Sequence, residues 1–264
     1  MAKLPTYFIS HGGGPWPWLP EMRNGMATLE ASLAAMPSQL PEVPKAILMI
    51  SGHWEQDDFA VMGSAHPPMV YDYSGFPDFT YHIKYSAPGA PAIAARVVEL
   101  LKAAGLPTHL DQTQGFDHGV FAPMEIMYPH ADVPLFQVAI RHDYDPAAHI
   151  ALGRALAPLR DEGVLIVGSG LSYHNMRGFG PQGKWPSAEF DAWLNDALMS
   201  APDKREDMLL AWDKAPSARA CHPQEDHLIP LMAAVGAAEN EKATRVYYDQ
   251  AVFGNITASS YRFG

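Results

Sequence analysis

The sequence predicts an α/β domain in which a mostly parallel or mixed central sheet is flanked by helices on both faces. Several apolar runs have the length of strands and are continuous rather than alternating, which is typical of strands buried on both faces. Segments with helical periodicity lie between these runs, and such alternation indicates an α/β arrangement. The chain contains no internal repeat, low-complexity tract or convincing linker, so we interpret residues 1–264 as a single domain.

The predicted strands are apolar runs at 7–10, 46–51, 59–63, 135–140 and 164–168, with a weaker candidate at 245–248. Two helices are indicated between them. Apolar residues recur at 93, 97, 100, 101 and 104, where Pro91 marks the start of the helix and Gly105 its end. A second helical period covers 190, 193, 194 and 198, with Ser187 as the predicted N-cap.

Composition narrows the possible functions. The chain has 264 residues, of which 48% are hydrophobic, enough for a sizeable core. Its formal charge of -11 disfavours nucleic acid or an anionic membrane surface as a partner. Cys221 is the only cysteine and cannot form an internal disulfide, and the N-terminal residues lack the apolar stretch of a signal peptide. These observations favour a globular protein of the reducing cytoplasm.

Residues 66–91 form a long aromatic and proline-rich segment with little periodicity. Within a compact domain, such a segment is usually a functional loop rather than a linker. We therefore expect this aromatic loop to cover a site.

Each of three predicted strands is followed by a histidine. YFISHGG carries His11, ILMISGHWE carries His53, and LIVGSGLSYHN reaches His174 after a short glycine turn. Because the carboxyl ends of strands in open α/β sheets border a ligand crevice, we expect these histidines to converge. Two further motifs add His118 in GFDHGVFAP, and His227 in CHPQEDHLIPL just before a short apolar helix at 228–235.

Other interpretations of these motifs are weaker. The glycines after His11 fit neither GxxxxGK[ST] nor GxGxxG, and GSGLS is not the GxSxG nucleophile elbow, so residues 168–170 are interpreted as a plain turn. Six other histidines are interpreted as hydrogen-bonded packing residues: His66, His82, His109, His130, His142 and His149. Imidazole ligands without a cysteine cluster suit zinc, iron, copper or nickel. Zinc at such a site would activate water, whereas Fe(II) would support oxygen chemistry.

Six separated motifs together resemble the class III extradiol ring-cleavage dioxygenases, in particular the branch named for 4,5-DOPA extradiol dioxygenase. They are, in order, SHGGGP, SGHWE, YDYSGFP, GFDHG, GSGLSYHN and HPQEDHLIPL. The C-terminal YDQAVFGNITASSYRFG also looks like that branch, so the resemblance spans nearly the whole chain. It implies a three-layer α/β domain and a mononuclear non-haem iron that opens catechol rings with O₂ next to the diol.

The resemblance also implies roles for individual residues. His11, His53 and His227 look like the metal ligands, with Glu225 as the alternative third ligand because related protocatechuate-cleaving enzymes use a glutamate there. His174 resembles the acid/base histidine and is also the candidate for a fourth ligand, and His118 resembles a pocket histidine that contacts substrate. Fe(II) is the expected active metal, and Zn(II) is expected to compete for the site in purified protein.

The implied reaction specifies its partners, a small aromatic diol and O₂. Tyr71, Tyr73, Phe76 and Phe79 in the aromatic loop are the predicted substrate-binding walls. Two other functions stay open at this point: a zinc-dependent hydrolase that uses the same histidines, and a non-catalytic Memo-like binding protein. No motif identifies the side chain of the catechol.

Overall fold

The computed structural model describes residues 2–264, and within that range it contains ten strands and nine α-helices. The strands are β1 Thr6–Ser10, β2 Ala46–Ser51, β3 Glu55–Gln56, β4 Val61–Met62, β5 Leu110–Asp111, β6 Leu135–Gln137, β7 Ile140–Arg141, β8 Val164–Gly170, β9 Ala243–Val252 and β10 Ile256–Phe263. The α-helices are α1 Pro20–Gly25, α2 Ala27–Ala35, α3 Pro91–Ala103, α4 His118–Met127, α5 Pro146–Leu156, α6 Lys184–Met199, α7 Pro202–Leu210, α8 Ala218–Cys221 and α9 Ile229–Gly236.

Six strands form the central sheet, in the order β6, β2, β8, β1, β10, β9. Strands β6, β2, β8 and β1 run parallel, whereas β10 pairs antiparallel with both β1 and β9. Every residue of the four parallel strands is buried, as their continuous apolar composition predicts. The predicted α/β class, with helices flanking a mixed sheet, is confirmed.

Helices cover both faces of the sheet, as the end of β8 illustrates. Side chains alternate between the two faces of a strand, so Gly168 and Gly170 point to one side and Ser169 to the other. A Cβ atom at Gly168 would collide with the carbonyl oxygen of Pro230 in α9. Ser169 instead donates a hydrogen bond to the carbonyl oxygen of Gly119 in α4. Helices α9 and α4 therefore lie on opposite faces, which produces three layers.

Two of the predicted strands are wrong in part. The run 59–63 contributes only the short strand β4, which pairs with β5 outside the central sheet. The run 135–140 divides into β6 and β7, because Val138 forms an antiparallel bridge to Val61. Apolar composition predicts that a segment is buried, but backbone pairing determines which sheet it joins.

Three local predictions are also corrected. Residues 168–170 are the end of β8 rather than a turn, because close packing against α9 excludes side chains from that face. Ser187 does not cap a helix, since α6 begins at Lys184 and the Ser187 hydroxyl donates to the Lys184 carbonyl oxygen. The C-terminal segment forms β10, which was not predicted because small polar residues interrupt its apolar run.

Candidate metal centre

Parallel strands bring three of the candidate histidines to one edge of the sheet. His11 directly follows β1, and His53 lies two residues beyond β2. His174 lies four residues beyond β8, which pairs with both of those strands. Because the three strands are parallel neighbours, their carboxyl ends share one edge. Two more imidazoles come from helices, since His118 is the first residue of α4 and His227 lies two residues before α9.

His11 is a buried imidazole that lacks a hydrogen-bond partner among residues 2–264. Only 1% of its surface is exposed, and neither ring nitrogen makes a hydrogen bond in that range. Its backbone is held by Trp16, whose indole nitrogen donates to the His11 carbonyl oxygen at 2.8 Å. Burial, followed by the neighbouring imidazoles, lowers the pKa of His11 well below its ordinary value. A neutral, buried imidazole with no partner is unfavourable unless another group, such as a metal ion, accepts its lone pair.

His53 and His227 face each other through their Nε2 atoms, which are 3.1 Å apart. The Nδ1 atom of His227 lies 2.7 Å from a carboxylate oxygen of Asp226, and that of His53 lies 3.3 Å from Asp72. Because a carboxylate accepts hydrogen bonds, these contacts favour the tautomers in which Nδ1 carries the proton and Nε2 presents a lone pair. Two nitrogens bound to one ion at about 2.1 Å are roughly 3.0–3.4 Å apart, so this spacing fits a shared metal ion.

The five imidazoles form one cluster around these atoms. The ring centroid of His11 lies 5.0 Å from His53, 5.1 Å from His227 and 5.3 Å from His118. His53 and His227 have centroids 4.6 Å apart, and His174 stacks on His227 at 3.4 Å. Ring nitrogens of His11, His53 and His118 lie within 4.8 Å of one another, so this trio could hold a metal ion. Ligand atoms of His174, Asp226 and His227 form a second such group, and the His227 ring connects the two groups through its contacts with His11 and His53.

Asp72 fixes two of the rings from the aromatic loop. Its Oδ1 atom accepts a hydrogen bond from the backbone nitrogen of His118 at 3.0 Å and lies 2.9 Å from Nδ1 of the same residue. Its Oδ2 atom lies 3.3 Å from Nδ1 of His53. Such carboxylates fix the tautomer and orientation of metal-binding histidines. Asp72 therefore leaves both Nε2 atoms free for other partners and connects the aromatic loop to the histidine cluster.

Asp226 approaches the rings of His227 and His174, as Asp72 approaches those of His53 and His118. Besides its contact with His227, it lies 3.6 Å from Nδ1 of His174. Burial raises the pKa of Asp226, but the two imidazoles outweigh this effect and leave the pKa below its ordinary value. The carboxylate is therefore ionised at pH 7; it orients the His227 ring through the 2.7 Å contact and lies beside the His174 ring.

Burial also keeps the other ligand candidates neutral. It lowers the pKa of His53 well below its ordinary value, with a further contribution from His118 and His227. It lowers the pKa of His227 to about 4, although Asp226 opposes the shift. Neutral imidazole is the form that binds metal, and a donor set of nitrogens without thiolates suits divalent transition metals. The residues present therefore fit a non-haem metal ion.

A cavity of about 480 Å³ opens onto the cluster, a volume typical of small-molecule sites. Of the four aromatic residues predicted to form its wall, Tyr73 and Phe76 line it. Tyr71 and Phe79 lie outside the lining. The Tyr71 hydroxyl donates to the Ile83 carbonyl oxygen at 2.6 Å, which directs it to the loop backbone. Phe79 lies on a 3₁₀ turn with 52% of its surface exposed.

The acidic residues differ from expectation. Glu225, the alternative third ligand, lies outside the cavity lining and pairs with Arg219 at 2.6 Å. The carboxylate beside His227 belongs instead to Asp226. Sequence reasoning missed the roles of Asp72 and Asp226. Two signals were available: a lone acidic residue between tyrosines in YDYSGFP, and an acidic residue directly before a candidate ligand in QEDH.

Comparison with known families now identifies the chain. Residues 6–264 match the family described as the catalytic LigB subunit of aromatic ring-opening dioxygenase. The chain belongs to this LigB family. It is 38% identical over 262 residues to a 4,5-DOPA dioxygenase extradiol of Beta vulgaris, and the aligned region covers 98% of this chain and 96% of that protein. It is 36% identical over 274 residues to the dioxygenase tasH of Hapsidospora irregularis, with coverage of 95% and 83%.

A solved structure agrees with these sequence matches. The crystal structure of an uncharacterized protein, JW3007, from Escherichia coli K12 superposes on this chain with a TM-score of 0.79 at 29% identity. The superposition covers 99% of this chain and 100% of that one. The resemblance to class III extradiol dioxygenases is thereby confirmed, and this LigB-family chain is an extradiol ring-cleavage enzyme. Within residues 2–264, no helix combines the length and apolar character needed to cross a membrane.

Proposed function

We propose that this chain opens a catechol-type ring, DOPA-like or otherwise substituted, with O₂ in the extradiol position, using Fe²⁺ held by His11, His53 and His227. The observation that carries the proposal is the convergence of three imidazoles on one small-molecule cavity, where both His11 ring nitrogens lack a partner among the described residues and the Nε2 atoms of His53 and His227 face each other. Family membership supports ring opening, and relatives named 4,5-DOPA dioxygenase extradiol support the catechol class. Three protein ligands leave coordination positions for the diol and O₂.

His227 is preferred over His118 as the third ligand. Its Nε2 atom and that of His53 have the 3.1 Å spacing expected of two ligands of one ion. His118 is then left to contact the substrate. Because Asp72 holds Nδ1 of His118, the Nε2 atom can accept a hydrogen bond from a diol hydroxyl. An Fe²⁺ ion at this site would bring diol and O₂ into one coordination sphere, which makes their reaction effectively intramolecular.

His174 is the proposed acid/base residue. Its side chain lines the cavity and is 20% exposed, so a substrate can reach it. With Nδ1 directed at Asp226, Nε2 can accept the proton that a catechol hydroxyl loses on binding, and the ionised carboxylate stabilises the resulting imidazolium. The same nitrogen can return the proton to the ring-opened product.

Tyr73 and Phe76 are the proposed substrate-binding walls. Their ring centroids lie 5.5 Å apart, and Tyr73 lies 5.9 Å from His118 in an edge-to-face arrangement. An aromatic substrate gains both apolar contact and favourable ring geometry against such a wall.

The experiment is an assay of anaerobically Fe²⁺-loaded protein with a panel of catechols, followed by admission of O₂. We expect O₂ uptake, and a coloured product whose mass exceeds that of the substrate by two oxygen atoms. His174→Ala should still bind Fe²⁺ and catechol but lose O₂ uptake by about 10²–10⁴-fold. His130→Ala, at an exposed position, is the matched control. Hydrolysis by the zinc form without O₂ uptake would favour the hydrolase instead, and binding without any reaction would favour the Memo-like alternative.

A further inference from the structure

The cavity wall outside the histidine cluster is largely apolar. Six apolar side chains contribute to it: Met22, Phe76, Leu171, Met176, Phe179 and Phe253. Phe179 and Phe253 pack with their ring centroids 4.6 Å apart and their planes inclined by 35°. Gly13 completes this part of the wall, because a Cβ atom there would lie 3.2 Å from the Phe253 ring. A ring substituent that reaches this wall meets apolar surface.

The polar groups of the cavity other than the histidines are acidic or neutral. Among residues 2–264, no Lys or Arg lines the cavity, and the acidic group that does is Asp72. The Tyr73 hydroxyl is engaged, since it donates to the Thr80 carbonyl oxygen at 2.6 Å. Ser74 offers a neutral hydroxyl. Arg177 follows a wall residue in the chain, but it is exposed to solvent and is not part of the lining.

A carboxylate on the substrate is poorly matched to these surroundings. At the apolar wall it would lose water without gaining a Lys or Arg partner among the described lining residues, and it would share the cavity with the Asp72 carboxylate. The formal charge of -11 on the whole chain also opposes the approach of an anion. An uncharged substituent of the same shape avoids this penalty and buries apolar surface.

We propose that the catechol carries an uncharged, largely apolar substituent, such as an alkyl, aryl or ester group, rather than a carboxylate. This inference rests on the proposed function and narrows its substrate class. DOPA itself, whose side chain bears a carboxylate, is then a poor substrate for this chain.

A matched pair of ligands tests the inference: 3-(3,4-dihydroxyphenyl)propionate and its methyl ester, which share ring and chain length but differ in charge. Binding to Fe²⁺-loaded protein is measured by calorimetry without O₂, and kcat/KM is measured separately from O₂ uptake. We expect the ester to bind about tenfold more tightly or better, a difference of about 1.4 kcal/mol. Equal or tighter binding of the acid would overturn the inference. Because binding is measured without turnover, a failure of ring opening counts against the proposed function alone.

Two variants test whether the ring substituent binds at the apolar wall. Arg177→Gln should leave the ratio of ester to acid affinity unchanged, because this side chain does not line the cavity. Selective weakening of the acid by Arg177→Gln would show that a cation does reach the substituent, and the inference would fail. Met176→Arg, at a wall position with 68% of its surface exposed, should strengthen binding of the acid about tenfold relative to Met176→Gln. An unchanged ratio in Met176→Arg would contradict the placement of the substituent at this wall.

Discussion

The Nε2 atoms of His53 and His227 lie 3.1 Å apart, although 174 positions separate these residues in the chain. Each ring has its other nitrogen directed at a carboxylate, so the two facing nitrogens both present lone pairs. Such a pair is stabilised by a cation that both atoms can bind.

Alanine variants of the five clustered histidines should separate ligands from non-ligands. We expect His11→Ala, His53→Ala and His227→Ala to retain less than about a tenth of the wild-type metal after dialysis, because each removes a proposed ligand. His118→Ala and His174→Ala should retain most of it. Elemental analysis gives the metal content, and circular dichroism checks the fold. Loss of metal in His118→Ala with retention in His227→Ala would show that His118, rather than His227, is the third ligand beside His11 and His53.

Replacing the loop carboxylate should weaken metal binding indirectly. In Asp72→Asn the amide no longer supplies two acceptor oxygens to the Nδ1 atoms of His53 and His118. We expect metal affinity to fall by about 10–100-fold, measured by competition with a chromophoric chelator. Asp78→Asn is the control, because its side chain lies in the same loop and is 96% exposed. A similar loss in both variants would show that the loop, rather than the Asp72 contacts, is responsible.

Gly168→Ala should destabilise the contact between strand β8 and helix α9. The added Cβ atom would collide with the Pro230 carbonyl oxygen, which is backbone and cannot move without shifting the helix. We expect the free energy of unfolding to fall by about 1–3 kcal/mol in urea titrations. Gly25→Ala is the matched control, since its Cβ atom would meet no atom of the described residues within 4 Å. The packing argument fails if the two variants are equally stable.

His149 should make stability depend on pH. Its Nδ1 atom donates to the Asp145 carbonyl oxygen at 2.7 Å, and Nε2 accepts from the Arg141 backbone nitrogen at 3.1 Å, so the folded state requires the neutral ring. Burial lowers the pKa of His149 to about 4, from an ordinary value of 6.5. The unfolded chain therefore takes up a proton first as pH falls. Stability is unaffected by this group above pH 6.5 and decreases between pH 6.5 and about 4.

The measurement for His149 is urea unfolding at pH 7.5 and pH 5. His149→Gln, which keeps a donor and an acceptor but does not titrate, should lose less stability over this interval than the wild type does. His130→Gln, at an exposed position, should behave like the wild type. Identical pH dependence in all three proteins would contradict the assignment.

The convergence of the histidines was largely predictable because it depends on strand direction. His11 and His53 follow buried apolar runs, and parallel neighbouring strands end at the same edge of a sheet. The local pattern therefore carries information about a distant contact. The same reasoning failed for the run 59–63, because apolar composition does not reveal whether a strand pairs in the central sheet or outside it.

The carboxylates and the cavity wall were not predictable to the same degree. Tyr71 and Tyr73 stand two positions apart in the same motif, yet Tyr71 bonds to the Ile83 backbone while Tyr73 lines the cavity. An irregular loop has no repeating geometry that would assign its side chains to one side. Asp72, which lies between these tyrosines, reaches His53 and His118 only because the loop folds over the cluster.

By itself, the sequence determined the α/β class and the residue types that can bind a metal, because apolar periodicity and strand-end histidines are local properties of the chain. Only the tertiary structure decided which ring nitrogens face one another and which carboxylates hold them. Those relationships depend on side-chain directions and on distances between segments as remote as His53 and His227, and no local pattern encodes them.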